Sequence, residues 1–134
     1  PKYISFFPST ICEMIVGMTA LADCGIEGYR DERMMGVWLE DRKICSIGLA
    51  FKHWVSRHGL AINYNTNEGR IEALTCCGLD AGTTTSLAAV GHTHDLEGRL
   101  LDRARFEEAL LVHAEEFLGR VPMKPEDWTP GLVA

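Results

Sequence analysis

The stretch from Arg42 to Leu87, RKICSIGLAFKHWVSRHGLAINYNTNEGRIEALTCCGLDAGTTTSL, decides how this chain is read. Its first run, Lys43 to Phe51, is rich in Ile and Leu with Gly48 inside it, and predicts a strand led by a lysine. Leu60 to Tyr64 alternates apolar and polar residues and predicts another. Between them His58-Gly59 reads as a break separating two strand-like runs. Asn65 to Gly69 is a turn cluster, with several residues tolerant of positive φ. Ile71 to Leu74 is short enough for either a strand or one helical turn. Gly78 to Thr84 reads as a loop, and Thr85 to Val90 as one more strand.

Working outward, Gly36 to Glu40 carries Val37, Trp38 and Leu39 and predicts a strand paired to the next through a turn at Glu40-Asp41-Arg42. Further back, Pro8 is followed by Ser9 and Thr10, either of which suits a helix N-cap. Ile11, Met14, Ile15, Met18, Leu21 and Ala22 then recur at three- and four-residue steps, so a helix is expected from about Ser9 to Cys24, ending at Gly25. Gly28 to Met34 is charged and reads as an exposed loop. Beyond Leu100 or Asp102 the pattern is helical again. Phe106, Leu110, His113 and Phe117 share a face, Glu107, Glu108, Glu115 and Glu116 lie off it, and Gly119 ends the run. The expected class is α+β: one domain over residues 1–134, a mixed β-sheet with flanking helices.

Composition narrows the functions. A chain of 134 residues with 46% apolar residues can bury one core. A net charge of -6 argues against nucleic acid as a partner, because phosphate neutralisation needs clustered Lys and Arg. No run approaches the roughly 18 apolar residues of a membrane helix, so no membrane association is expected. The five cysteines, Cys12, Cys24, Cys45, Cys76 and Cys77, are an odd number without the spacing of a disulfide framework. Free thiols in a reducing, cytoplasmic compartment are the expectation.

Two residues stand out chemically. Cys77 precedes Gly78 at the end of an apolar segment, where a turn can present the sulfur and outward-pointing backbone N–H groups can hold an oxyanion. The alternative is that Cys77 is a small buried hydrophobe, as most free cysteines are. Lys43 leads a core-directed run, an unusual setting for a solvated ammonium, although ordinary strands also begin with lysine. Brought together they form a pair in which the ammonium favours the thiolate, each pKa unit being worth about 1.4 kcal/mol. His58 is either a general base or a turn histidine holding a backbone carbonyl. His92-Thr93-His94 places two imidazoles on one side of an extended segment. No second Cys or His pair stands at zinc-site spacing, so no metal is expected.

RKICSIGL, HGLAIN and CGLD, in that order, resemble the octanoyl-[acyl-carrier-protein]:protein N-octanoyltransferases, also called lipoyl(octanoyl) transferases. In that family the lysine of a K-I-x-S-[IL]-G motif assists the cysteine of a P-C-G motif. Lys43 and Cys77 match these positions, and their separation of 34 residues fits. The resemblance places Ser46, Ile47, Gly48, Gly59, Leu60 and Ala61 on acyl-contacting segments, with His58 and Gly78 in supporting positions. Cys76 stands where the family has proline. The family's Arg-Gly-Gly and His-x-Gly-Pro-Gly-Gln-like segments are not found, so the chain is expected to be the C-terminal part of a longer enzyme, lacking part of the acyl pocket when taken alone.

The resemblance implies the biotin/lipoate protein ligase catalytic fold and ping-pong transfer of octanoyl through a thioester on Cys77. It needs no cofactor and no ATP. The implied partners are octanoyl-acyl carrier protein, the lipoyl domains of 2-oxoacid dehydrogenase complexes and the glycine cleavage H protein, acting on a monomer. Because the carrier is acidic, a basic patch of Arg42, Lys52, His53 and Arg57 is expected to dock it. Two other outcomes are an ATP-dependent lipoate or biotin ligase, for which Cys77 is dispensable, and a catalytically silent acyl- or partner-binding module of the same fold.

Overall fold

Glu40 and Asp41 both take positive φ, 49° and 63°, in a two-residue turn between Leu39 and Arg42. That backbone matches the right-handed twist of the strands it joins. It connects β1 (Gly36–Leu39) to β2 (Arg42–Lys52), and β2 pairs on its other side with β3 (Val55–Ile62), all antiparallel, in the order β1-β2-β3. The structure is a computed structural model that describes residues 6–52, 55–66, 69–75 and 78–118. For residues 6–14, 49, 51–52, 55–58 and 114–118 it describes the backbone alone.

Helix α1 (Phe6–Asp23) begins three residues before the expected N-cap. Pro8 then falls in the first turn, where its missing N–H is not needed. The helix ends as expected at Gly25, whose φ is +78°. Ile26 N donates to Leu21 O and Gly25 N to Ala22 O, both at 2.9 Å, the paired closure that a left-handed glycine permits. Its buried face is rotated from the expected stripe. Val16, Ala20, Leu21 and Cys24 are buried and Met18 packs against the core, whereas Ile15 is 38% exposed and Ala22 faces solvent. The cause is Gly17: a Cβ there would lie 3.1 Å from Leu60 and 3.9 Å from Val37, so the helix approaches the sheet through its small residues.

Helix α2 (Arg103–Leu118) starts where Asp102 Oδ1 accepts the Arg105 amide at 2.9 Å, an N-cap bond. Phe106 and Ala109 enter the core beside α1, and the Phe106 ring packs on Tyr64 with centroids 5.9 Å apart. His113 leaves the apolar face to meet Asp23 at 2.6 Å. Phe117 and Gly119 lie outside the residues whose side chains are described. The loop before α2 is folded around Asp95. Its buried carboxylate accepts from the amides of Glu97 and Arg99 and from the guanidinia of Arg99 and Arg105.

Two local expectations give way. His58-Gly59 is no break: it lies inside β3, with His58 paired to Leu49 and Gly59 to Gly48. The ladder continues as far as the pair Lys52 and Val55, and two facing glycines fit within it. Thr85 to Val90 is no strand. After a single parallel bridge between Lys43 and Thr84, the chain curls into the short 3-10 helix Ala88–Val90 and stops at left-handed Gly91. That bridge lies outside the named strands, so the described sheet is antiparallel rather than mixed as expected, and the architecture is α+β. Of the two options for Ile71 to Leu74, the helical turn is present: Ala73 N donates to Gly69 O and Leu74 N to Ile71 O. Among the described residues no helix is long and apolar enough to cross a membrane.

Candidate active site

A bulge in β2 decides where Lys43 points. Val37 pairs with Cys45 but Trp38 pairs with Lys43, so Ile44 is an extra residue in the ladder. Ile44 and Cys45 both enter the core with Val37 and α1. The phase shift sends Lys43 to the opposite face. There its Cε would lie 2.7 Å from a Cβ on Gly36, whose ladder partner is Ser46. Lys43 as a whole is 6% exposed, and among the described residues no carboxylate pairs with its ammonium. Lysine residues are seldom so buried.

Cross-strand partners share a face, and alternate residues change face. Ser46 pairs with Ala61 and Gly48 with Gly59, so these four lie on the Lys43 side, with Gly48, Gly59 and Ala61 exposed. Ile47 pairs with Leu60, and Leu60 touches Gly17 of α1. The six residues expected to contact an acyl chain therefore divide. Ser46, Gly48, Gly59 and Ala61 make a floor of small side chains beside Lys43, while Ile47 and Leu60 belong to the layer between sheet and helix.

Beyond the end of β3, the segment 83–85 takes the place of β3 beside Lys43. Lys43 N donates to Thr83 O at 2.8 Å, and Thr85 N donates to Lys43 O at 2.9 Å. Asn63 fastens the same junction. Its amide donates to Ile44 O, its carbonyl accepts from Leu87 N, and its Nδ2 donates to Thr85 O at 3.2 Å. Glu72 reaches the junction from the preceding limb, accepting from Thr85 Oγ1 at 2.9 Å.

Cys76 and Cys77 lie outside the described residues, as does His53. The side chains of Lys52, Arg57 and His58 do too. Gly78 is described: it is exposed, sits in a turn with φ +82°, and among the described residues nothing lies within 4 Å of where its Cβ would be. Glycine is needed there for its backbone conformation rather than for space. Leu79 next to it is 9% exposed, so the chain dips back towards the interior two residues after Cys77. The described thiols are unsuited to nucleophilic work. Burial pushes Cys45 up to about 12, against opposing effects of a Val37 backbone hydrogen bond and the Lys43 charge. Burial likewise raises Cys24. His94 Nδ1 lies 3.0 Å from Thr93 Oγ1, and among the described residues no three metal-ligating side chains converge.

The sequence patterns pointed to Lys43 but not to Gly36, Asn63, Glu72 or Thr85. Gly36 stood at a strand start, with no local mark of the side chain that passes over it. Thr85 stood in a run of four hydroxyl residues, and its partners Glu72 and Asn63 are 13 and 22 residues away.

Residues 1–114 match the model of the lipoyl protein ligase A/B catalytic domain. The octanoyltransferase of Caldanaerobacter subterraneus subsp. tengcongensis is 34% identical over 118 residues, covering 86% of this chain and 50% of that protein. That of Nitratidesulfovibrio vulgaris strain Miyazaki F is 46% identical over 72 residues, 54% of this chain and 33% of that protein. That of Novosphingobium aromaticivorans is 34% identical over 113 residues, 79% and 48%. The chain thus spans about half the length of the Caldanaerobacter and Novosphingobium octanoyltransferases. It belongs to the lipoyl protein ligase A/B catalytic domain family.

Proposed function

We propose that this chain carries the reacting groups of an octanoyltransferase in lipoate biosynthesis, with Cys77 as nucleophile and Lys43 as its partner. The observation that carries the reading is the buried lysine, without a described carboxylate partner, held by backbone bonds to the loop that follows Cys77. The names of the relatives favour acyl transfer over ligation.

In the first half-reaction the Cys77 thiolate attacks the carbonyl of the octanoyl thioester on acyl carrier protein. The tetrahedral oxyanion collapses, expels the carrier's thiolate and leaves octanoyl on sulfur. Lys43 as ammonium favours the attacking thiolate and gives its proton to the departing carrier thiolate, which leaves it as the neutral amine. In the second, the amine of a lipoyl-domain lysine attacks the acyl-enzyme, Lys43 takes the proton lost by that amine, and the Cys77 thiolate departs. Backbone N–H groups at the Gly78 turn and near Gly48 are placed in this reading to hold the oxyanion. The floor of Ser46, Gly48, Gly59 and Ala61 gives the octanoyl chain a smooth surface beside Lys43. Thioester cleavage supplies the driving force, so neither ATP nor a metal takes part.

The reading is tested by incubating the protein with octanoyl-acyl carrier protein and an apo lipoyl domain, without ATP. Octanoylation of the domain is expected. A requirement for ATP and free octanoate would assign the protein to the ligase branch instead. Binding of the octanoyl donor without any transfer would assign it to the silent modules.

A further inference from the structure

We propose that the hydrogen bond from Thr85 to Glu72 is a positioning strut, setting the loop that bears Cys77 against the backbone that bears Lys43. The inference rests on the acyl-transfer reading above and deepens it. Glu72 O accepts from Gly82 N at 2.7 Å, so the chain from residue 72 to residue 82 is closed at its base, and Cys77 falls midway along it. The far limb is fixed to Lys43 by the backbone bonds of Thr83 and Thr85, at 2.8 and 2.9 Å. Among its described residues the near limb has no backbone bond to Lys43. It meets the far limb at Gly82, whose left-handed φ of +86° makes that closure a glycine joint. Across this joint runs the bond from Thr85 Oγ1 to Glu72 Oε1, 2.9 Å long.

The chemistry of the pair is that of a geometric device rather than a stabilising one. Thr85 is fully buried. Glu72 Oε2 is buried too and has no hydrogen-bond partner among the described residues. A carboxylate that gives up water at one oxygen and gains a single bond at the other contributes little net stability, since a buried acceptor left unmade costs about 1–3 kcal/mol. An apolar pair of similar size would serve a purely structural joint as well or better. What Glu72 and Thr85 supply is a directional link of fixed length between the two limbs.

The test is the rate at which iodoacetamide alkylates Cys77 as a function of pH, resolved from Cys76 by fragment-ion mass spectrometry. Thr85→Val removes the bond while keeping the side-chain shape. If the strut sets the amine-to-thiol separation, this variant moves the Cys77 profile to higher pH, and the rate at neutral pH falls about tenfold for every pH unit the profile moves. Thr85→Ser, which keeps the hydroxyl, restores the wild-type profile. Labelling of the buried Cys24 and Cys45 reports unfolding in the same experiment. Should Thr85→Val expose them, Glu72→Leu removes the bond from its partly exposed side. If Lys43→Ala moves the profile and the strut variants do not, the strut is overturned and the dyad stands. If Lys43→Ala leaves the profile unmoved, the dyad fails and this inference fails with it.

Discussion

Gly36 is the residue on which the placement of Lys43 turns. Its missing side chain leaves room for Cys45 O, which would lie 2.1 Å from a Cβ, and for Lys43 Cε at 2.7 Å. The first neighbour is backbone and cannot be moved cheaply. Its φ of +149° adds strain for any other residue. Gly36→Ala is therefore expected to destabilise the protein by roughly 1–3 kcal/mol, as overpacking does. Denaturant titration measures the loss, and an unchanged midpoint would mean that the approach of β1 to β2 is looser than described. The same substitution pushes against the lysine stem, so octanoyl transfer should fall further than the loss of folded protein explains. The sequence marked Lys43 because a charged residue leading an apolar run is visible locally. It did not mark Gly36, because the reason for that glycine lies on the neighbouring strand, across a bulge.

Among the secondary elements, the hairpin turn and the α2 approach loop carry predictions of their own. Glu40 and Asp41 both occupy left-handed backbone, where a residue with a Cβ loses about 1–2 kcal/mol and Asn loses less. Glu40→Asn should raise stability by roughly 0.5–1 kcal/mol, seen as a higher melting temperature. A lower one would mean that Glu40 makes a contact worth more than the strain. Asp95 sets the acid limit of the loop. Arg105, helped by the amides and guanidinium of the same turn, holds its carboxyl below the ordinary 3.8, at about 2, against the opposing effect of desolvation. Its contribution to folding is complete above 3.8 and is lost as pH falls through that interval towards 2. Asp95→Asn should lower the urea midpoint at neutral pH and flatten its fall with acid over the same interval. An equally steep acid fall in the variant would contradict this.

These elements also show what a local pattern can carry. Gly25 was readable as a helix boundary because capping is decided within a few residues, whereas the start of α2 was left between Leu100 and Asp102. The rotation of α1 was not readable, because it depends on Leu60 and Val37 fitting around Gly17. His58-Gly59 looked like punctuation because glycine weakens a strand in isolation. Its pairing with Gly48 exists only once β2 and β3 have met.

In the molecule as a unit, the sheet is covered by helix on one face and lined by small residues on the other, and the bulge at Ile44 delivers Lys43 to that second face. Segment 83–85, beyond the end of β3, locks onto the same lysine and ties it to the loop in which Cys77 stands. The central claim is that Cys77, acting with Lys43, takes up the acyl group. Its most direct test is the intact mass of the protein after brief exposure to octanoyl-acyl carrier protein, followed by peptide mapping. The account predicts one octanoyl group on Cys77, absent in Cys77→Ser and formed much more slowly in Lys43→Ala. An adduct that persists in Cys77→Ser, or that forms at the wild-type rate in Lys43→Ala, would contradict it.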